Sequence, residues 1–457
     1  MKHLLPLFTG AVIGFAAYAP AHADTLEDAL VGAYQTNPTL QANRAQQRAT
    51  DESVAQAMSG WRPTLAGFGT YSHLLQDSGI GGANSTANSD IKLNPARVGA
   101  SLSQPLFRGG RTVAAVREAK SSVQAGRENL TATEQDILLQ SITAYVDVFQ
   151  DQAVLELNTR NVEVLTRQLD ATRDRFEVGE ITRTDVAQAE AALSSAESSR
   201  TLANAQLTAS RAEYTKLVGT PPVDIQEPSA LPNLPGSEEE SQAMALAANP
   251  FIGAAKHTEA AAEQGVKGAV GALLPSADAT GEISYTDDAS QFASFMRVKQ
   301  VTGEISVPVY QAGRVYSQVR EARQIHRQRR LEVVENQREV IERAATAWSN
   351  FSAVQSTIIS RQEQVRANEI ALEGVKQEAI VGSRTTLDVL EEEQRLLDSR
   401  VELVRARRDQ QVAAYQLLSV VGGMTATKLN LPVNVYDPDA NYLKVRNAWF
   451  GFGSSTE

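Results

Sequence analysis

The sequence predicts a mixed α/β membrane protein that joins β-barrel strands to long coiled-coil helices. Three observations carry this. A unit of about 200 residues occurs twice. Each copy holds two strand candidates about ten residues long, the length of a tilted membrane-crossing strand. Each copy also holds an apolar heptad stretch of roughly 66 residues without proline.

The duplication is read from fixed offsets. Asn37-Pro38 recurs as Asn249-Pro250, and Pro63 as Pro275, both at 212. Pro105, Gly110 and Arg111 recur as Pro308, Gly313 and Arg314 at 203, so the second copy is nine residues shorter in between. The 203 offset then holds from Val116-Arg117-Glu118-Ala119 and Val319-Arg320-Glu321-Ala322 to Gly219 and Gly422. The expected organisation is therefore a first repeat over 24–218, a linker over 219–237, a second repeat over 238–422 and a tail over 423–457. The linker holds five of the 16 prolines, which ends the preceding helix and keeps the segment extended. The tail has no helical period and reads as irregular chain laid on the surface.

The elements follow in order. Lys2 and His3, the apolar run Leu4 to Ala17, and Ala21-His22-Ala23 form a secretory signal peptide over residues 1–23. The competing reading is an uncleaved anchor. Each repeat opens with a helix, capped by Asp24 or Thr25 in the first copy and by Ser237 with Glu240 in the second. Asn-Pro then starts a second helix, the asparagine capping and the proline at the first position. These helices extend to about Gly60 and Leu273.

Strands come next. In Ser276 to Thr286, Ile283 and Tyr285 fall on one face, and Asp278 and Glu282 on the other. Gln300 to Val309 puts Val301, Ile305 and Val307 opposite Glu304. Arg97 to Leu106 alternates likewise, whereas 64–75 is assigned through its repeat partner. An ordinary half-buried sheet fits the same alternation, and the strands alone leave that open. The connections Gln76 to Pro95 and Asp287 to Met296 are rich in Ser, Asn, Gly and Asp and read as exposed loops.

The long helix of the first copy carries Val116, Val123, Leu130 and Ile137, then an 11-residue step to Val148, Leu155, Val162, Leu169 and Phe176. The second copy repeats the seam, with His326 at one position as a packing histidine. Heptads dictate coiled-coil packing, and the 11-residue step relaxes the supercoil. Short turns at Val178-Gly179 and Val381-Gly382 lead to returning helices from Asp185 and Asp388.

Two copies supply four strands, too few to close a barrel, and an open edge in lipid leaves backbone groups unsatisfied. The chain must pool strands with identical chains. The apolar strand face would then meet lipid, and Asp278, Glu282 and Glu304 would line an acidic lumen.

Composition excludes other classes. With 54 acidic against 43 basic residues, the net charge is -11, and nucleic acid is not an expected partner. No cysteine is present, which removes thiol chemistry, disulfides and a lipidated cysteine. The mean hydropathy of -0.26 excludes a helical membrane protein but not a barrel. No nucleophile-elbow, zincin, P-loop or dinucleotide motif occurs, so neither an enzyme nor a cofactor is expected. The alternative function is a periplasmic adapter or another structural coiled coil, which would carry one hairpin rather than two.

The signal peptide, both Asn-Pro helices, the strands entered at Pro63 and Pro275, and the segments Val178 to Val186 and Val381 to Leu390 resemble the TolC family of outer-membrane channel proteins. The resemblance spans about residues 24 to 422. It implies a homotrimer whose 12-stranded outer-membrane barrel, four strands per protomer, is continuous with a long α-helical coiled-coil periplasmic barrel. It implies an outer-membrane channel-tunnel, the exit duct of a tripartite efflux pump or type I secretion system. It also implies outer-membrane lipid, a periplasmic adapter and an inner-membrane efflux or ABC transporter as partners. By motif position Arg384 would bond Thr184 and Asp185 of the other hairpin at a periplasmic gate, and Asp388 and Glu391 would ring the constriction. Val178, Gly179, Val381 and Gly382 would be the adapter-contact tip. A family tyrosine is Ala379 here, so one gate bond is missing. Solvated turn charges and plain turn geometry are the competing readings of these residues.

Overall fold

The computed structural model of the chain describes residues 25–82, 85–228 and 231–451. The expected signal peptide lies outside them. Two compact units are built from alternating parts of the chain. The first collects the chain through Ala33, Ser141–Leu231 and Ser360–Arg408, and the second collects Tyr34–Gln140, Pro232–Ile359 and Asp409 onward.

Helix starts follow the caps. In α1 (Leu26–Thr36), Thr25 and Asp28 bond reciprocally, the Thr25 hydroxyl accepting from the Asp28 amide at 3.2 Å. In α2 (Pro38–Met58), the Asn37 side chain accepts from the amides of Thr39 and Leu40. In α5 (Glu238–Ala248), the Ser237 hydroxyl caps, but Glu240 reaches back to the amide of Gly236 instead. Asn249 begins α6 (Pro250–Gly271) and also donates to the Val420 carbonyl at 2.9 Å, tying that cap to another helix end.

In the second unit α2 enters β1 (Thr64–Tyr71) through a 3-10 turn at Ser59–Trp61. Then come β2 (Leu74–Gly82), β3 (Ser85–Leu93) and β4 (Ala96–Arg108), and after α6 come β5 (Ser276–Ser290) and β6 (Ala293–Ser306). The main sheet is antiparallel, ordered β1-β4-β5-β6. Two expectations are corrected here. Gln76 to Pro95 is not a loop but mostly the β2–β3 hairpin, paired from Leu74↔Leu93 to Gly82↔Ser85. Asp287 to Met296 is mostly strand as well, with a turn only between Ser290 and Ala293. Both were missed because backbone pairing does not require an apolar face, and periodicity detects only such faces. At the other end, β6 stops at Ser306, short of Val309.

The long helices are α3 (Arg111–Glu177) and α7 (Arg314–Ile380), and α4 (Arg183–Val218) and α8 (Thr386–Val420) return. The α3 seam is buried at Val116, Val123, Leu130, Ile137, Val148, Val162 and Leu169, while Phe176 at its last turn is exposed. His326 does more than pack, since its Nε2 meets Glu259 Oε1 at 2.6 Å.

The tail is more ordered than its sequence suggests. It carries α9 (Pro438–Val445) and is bound by a polar network of the second unit. The Asp51 carboxylate, fully buried, accepts from Gln47 at 3.1 Å and Asn441 at 2.8 Å. Arg127 pairs with Asp439 at 2.7 Å, and Tyr442 packs on Val54 and Val123. The Arg44 guanidinium stacks 4.3 Å from the Tyr34 ring and 5.4 Å from Tyr436. Polar anchors of this kind leave no hydrophobic period to read.

Candidate functional site: the hairpin turns and the two-faced sheet

The two hairpin turns, both in the first unit, are built alike. After α3, the Gly179 amide donates to the Phe176 carbonyl and the Glu180 amide to that of Arg175. After α7, Gly382 donates to Ala379 and Ser383 to Glu378. Each is a left-handed helix stop that satisfies two orphan carbonyls. Glycine is required, because φ is +80° at Gly179 and +78° at Gly382. Three residues later a threonine caps the next helix. The Thr182 hydroxyl accepts from the Asp185 amide, while Asp185 Oδ2 accepts from Thr182 at 2.8 Å. Thr385 and Asp388 repeat the pattern, with Oδ2 2.8 Å from the Thr385 amide.

These bonds give the expected gate residues positions that motif matching did not foresee. Asp185 and Asp388 are committed to helix capping. The Thr182 hydroxyl, above all, holds the Asp185 carboxyl below its usual range. The Thr385 amide does the same for Asp388, with Arg384 adding a smaller Coulomb contribution. Arg384 donates from Nε to Glu378 Oε2 of its own hairpin at 2.9 Å. In this structure its bond is therefore to Glu378 rather than to Thr184 or Asp185. Thr184 is exposed in the first turn of α4, and Glu391 lies 3.7 Å from Arg395. Ala379, at the family's tyrosine position, supplies only its carbonyl to the turn. Thr182, Thr385 and Glu378 were missed by sequence reasoning. The signal for the two threonines was the Thr-x-x-Asp spacing, passed over because the capping box is usually sought with Glu or Gln.

The turns are apolar at the surface: Val178 is 73% and Val381 77% exposed. Behind them Leu390 of α8 joins Val162, Leu165, Leu169, Ala189 and Ala196 in one buried cluster. Arg173–Glu190 at 2.8 Å and Lys376–Glu393 at 2.6 Å brace the two hairpins internally. Among the described residues no group of three acidic or histidine side chains could hold a metal ion.

The sheet of the second unit has two distinct faces. Register places Leu65, Leu102, Gly281 and Val301 in one row across the four strands. Leu65, Val98, Ile283, Val301 and Ile305 on that face are exposed, and two cations, Lys299 opposite Ile283 and Arg297 opposite Tyr285, interrupt it toward the β5–β6 turn. The other face carries Asp278 opposite Glu304, Thr280 opposite Thr302, and Glu282 opposite Gln300. Asp278, Glu282 and Glu304 thus share a face. Arg97 shares it too, pairing with Glu282 and lying 5.1 Å over the Phe68 ring. An exposed apolar face backed by a polar face is the pattern of a barrel wall between lipid and water.

The comparisons agree with this architecture. The family model described as "Outer membrane efflux protein" matches residues 29–220 and 243–423. The outer membrane efflux protein BepC of Brucella suis is 37% identical over 432 residues, covering 94% of this chain and 92% of the relative. The outer membrane protein TolC of Escherichia coli is 26% identical over 450 residues, covering 94% and 88%. The solved structure of the Campylobacter jejuni CmeC outer membrane channel superposes with a TM-score of 0.78 at 14% identity, covering 98% of each chain. This is a family of transport channels rather than of enzymes. The chain belongs to the outer membrane efflux protein family and is a TolC-type exit duct of the outer membrane, extending into the periplasm.

Proposed function

We propose that three copies of the chain assemble into one channel whose twelve strands close a barrel. The sheet carries this reading. Its outermost strands, β1 and β6, are edges among the described residues, and its apolar face is exposed. Unpaired edge groups cost several kcal/mol each in lipid, so neighbouring copies must cover them. The trimer docks to a periplasmic adapter through Val178, Gly179, Val381 and Gly382. It receives cargo from an inner-membrane efflux or ABC transporter, in an efflux pump or a type I secretion system. Asp278, Glu282 and Glu304 line the barrel lumen, with Arg97 offsetting part of their charge. The tip gate uses Thr184, Asp185, Arg384, Asp388 and Glu391. The Arg384–Glu378 bond within one hairpin competes with any link from Arg384 to a neighbouring hairpin, and Ala379 removes one further tie. Native mass spectrometry of the purified protein should give the mass of three chains; a dimer would defeat the twelve-strand barrel. Arg384→Ser should raise resting conductance in planar bilayers, and an unchanged conductance would remove Arg384 from the gate.

A further inference from the structure

Following α9, the tail presents an exposed aromatic pair, Trp449 at 59% and Phe450 at 93%. Their place in the fold is specific. Arg62, the residue before Pro63 and β1, donates to the Ala448 carbonyl at 2.5 Å and stacks 4.8 Å from the Trp449 ring. Trp61, 45% exposed, is held by Gln104 of β4, whose side-chain amide donates to the Trp61 carbonyl at 2.9 Å. Trp61, Leu106, Phe107 and Arg108 line one small cleft of about 80 Å³. A register shift between Pro105 and Phe107 leaves consecutive residues, Leu106 and Phe107, both exposed. All of these lie at the strand ends where α2 enters the sheet and α3 leaves it, and this is the periplasmic end. Tyr310, exposed just beyond β6, adds a further ring at that end.

We propose that Trp449 and Phe450 are a membrane foot that inserts into the periplasmic leaflet of the outer membrane beside Trp61, Leu106 and Phe107. The foot continues the apolar sheet face that carries Leu65, Leu102, Val301 and Ile305. Tryptophan suits this depth because its ring is apolar and its N–H is polar. Charge agrees: residues 444–450 include Lys444 and Arg446 and no acid, and Arg62 and Arg108 flank the cleft. These cations match phospholipid phosphates. The tail behind the foot is anchored by the Asp51–Asn441 and Arg127–Asp439 contacts. It therefore couples α2 and α3 of the second unit to the bilayer.

The proposal rests on the lipid-facing sheet, so its test carries a reference on that sheet. The chain has three tryptophans, Trp61, Trp348 and Trp449. A variant keeping only Trp449 and one keeping only Trp348, made by Trp→Phe substitution, are reconstituted in vesicles containing brominated phosphatidylcholine. Trp449 should be quenched roughly threefold more than Trp348, which sits on α7. Equal quenching would overturn the foot. Because the chain has no cysteine, Phe450→Cys and Val301→Cys provide an independent spin-label readout. Both labels should be more accessible to oxygen than to a water-soluble nickel chelate. A lipid-accessible Val301 with a water-exposed or protein-covered Phe450 rejects the foot alone, coverage making a neighbouring copy its occupant. A Val301 label that meets no lipid rejects the barrel reading beneath it.

Discussion

Gly271 closes α6 at the point where the chain crosses from helix to barrel. Its backbone is pressed against the turn that enters α3. A β-carbon built on Gly271 would stand 2.5 Å from the Gly109 carbonyl oxygen and 2.8 Å from Arg111 Cγ. Real contacts of this kind hardly fall below about 3 Å, so Gly271→Ala must push backbone against backbone. Overpacking of this sort costs about 1–3 kcal/mol. The gain in helix propensity is at most about 1 kcal/mol and is smaller at a helix end. The net effect is destabilising by about 1–2 kcal/mol. Three residues earlier the arithmetic reverses. A β-carbon on Gly268 meets only Ala114 Cβ, at an ordinary 3.8 Å, so Gly268→Ala should stabilise by up to about 1 kcal/mol. Thermal denaturation of the detergent-solubilised protein should show opposite shifts for the two variants. A Gly271→Ala protein as stable as wild type would refute the close-approach argument. Loss of stability in both would show that α6 tolerates no added volume and that the distances were not the cause.

Other outcomes follow from single contacts. Ala312 holds a left-handed φ of +51° at the position that Gly109 occupies in the first copy. Ala312→Gly should therefore raise the melting temperature, by up to about 1 kcal/mol of relieved strain. Asn249→Ala loses both its cap and its bond to the Val420 carbonyl. The expected cost is about 1–2 kcal/mol, read as a lower melting temperature; Asn249→Asp keeps the cap but sets an acceptor-only carboxylate against the Val420 carbonyl, so it too should melt below wild type. Burial raises the Glu134 carboxyl above its usual 4.5, against the bond from the Ala426 amide. The folded state thus binds this proton more readily than the unfolded one, and stability should fall as pH rises from about 4.5 through the raised value. Glu134→Gln should flatten that part of the melting-temperature profile against pH; an unchanged slope would assign it to other groups. Asp185 and Asp388, held low by their caps, act in the opposite sense. Their contribution is present above about 3.8 and is lost as pH falls through the depressed values.

Most of the helical architecture was legible because it rests on local rules. Asn37-Pro38 and Asn249-Pro250 announce helix starts, and the structure places both asparagine side chains on the expected amides. The seam from Val116 to Leu169 is readable because burial on one helix face imposes a period. The β2–β3 hairpin was not, since Ser, Asn and Gly carry no apolar alternation while their backbones still pair. At the turns, motif similarity pointed to Arg384, Asp185 and Asp388. What it could not supply was their partners, Glu378, Thr182 and Thr385. The tail was missed for a related reason. Asp51 and Asn441 are 390 positions apart, and a polar pair at that separation leaves no mark on either segment.

By itself the sequence carried the internal repeat, the order of the long helices, the Asn37 and Asn249 caps and the apolar seams, because each depends on residues near one another in the chain. It also supplied the argument that four strands, if they lie in lipid, cannot satisfy their own edges. Only the tertiary structure decided the strand order and the pairing of Glu282 with Arg97. It alone decided the use of Asp185 and Asp388 as helix caps and the anchoring of the tail that carries Trp449 and Phe450. These depend on which polar groups meet across long separations, where hydrogen bonding is directional and hydrophobic patterning is silent.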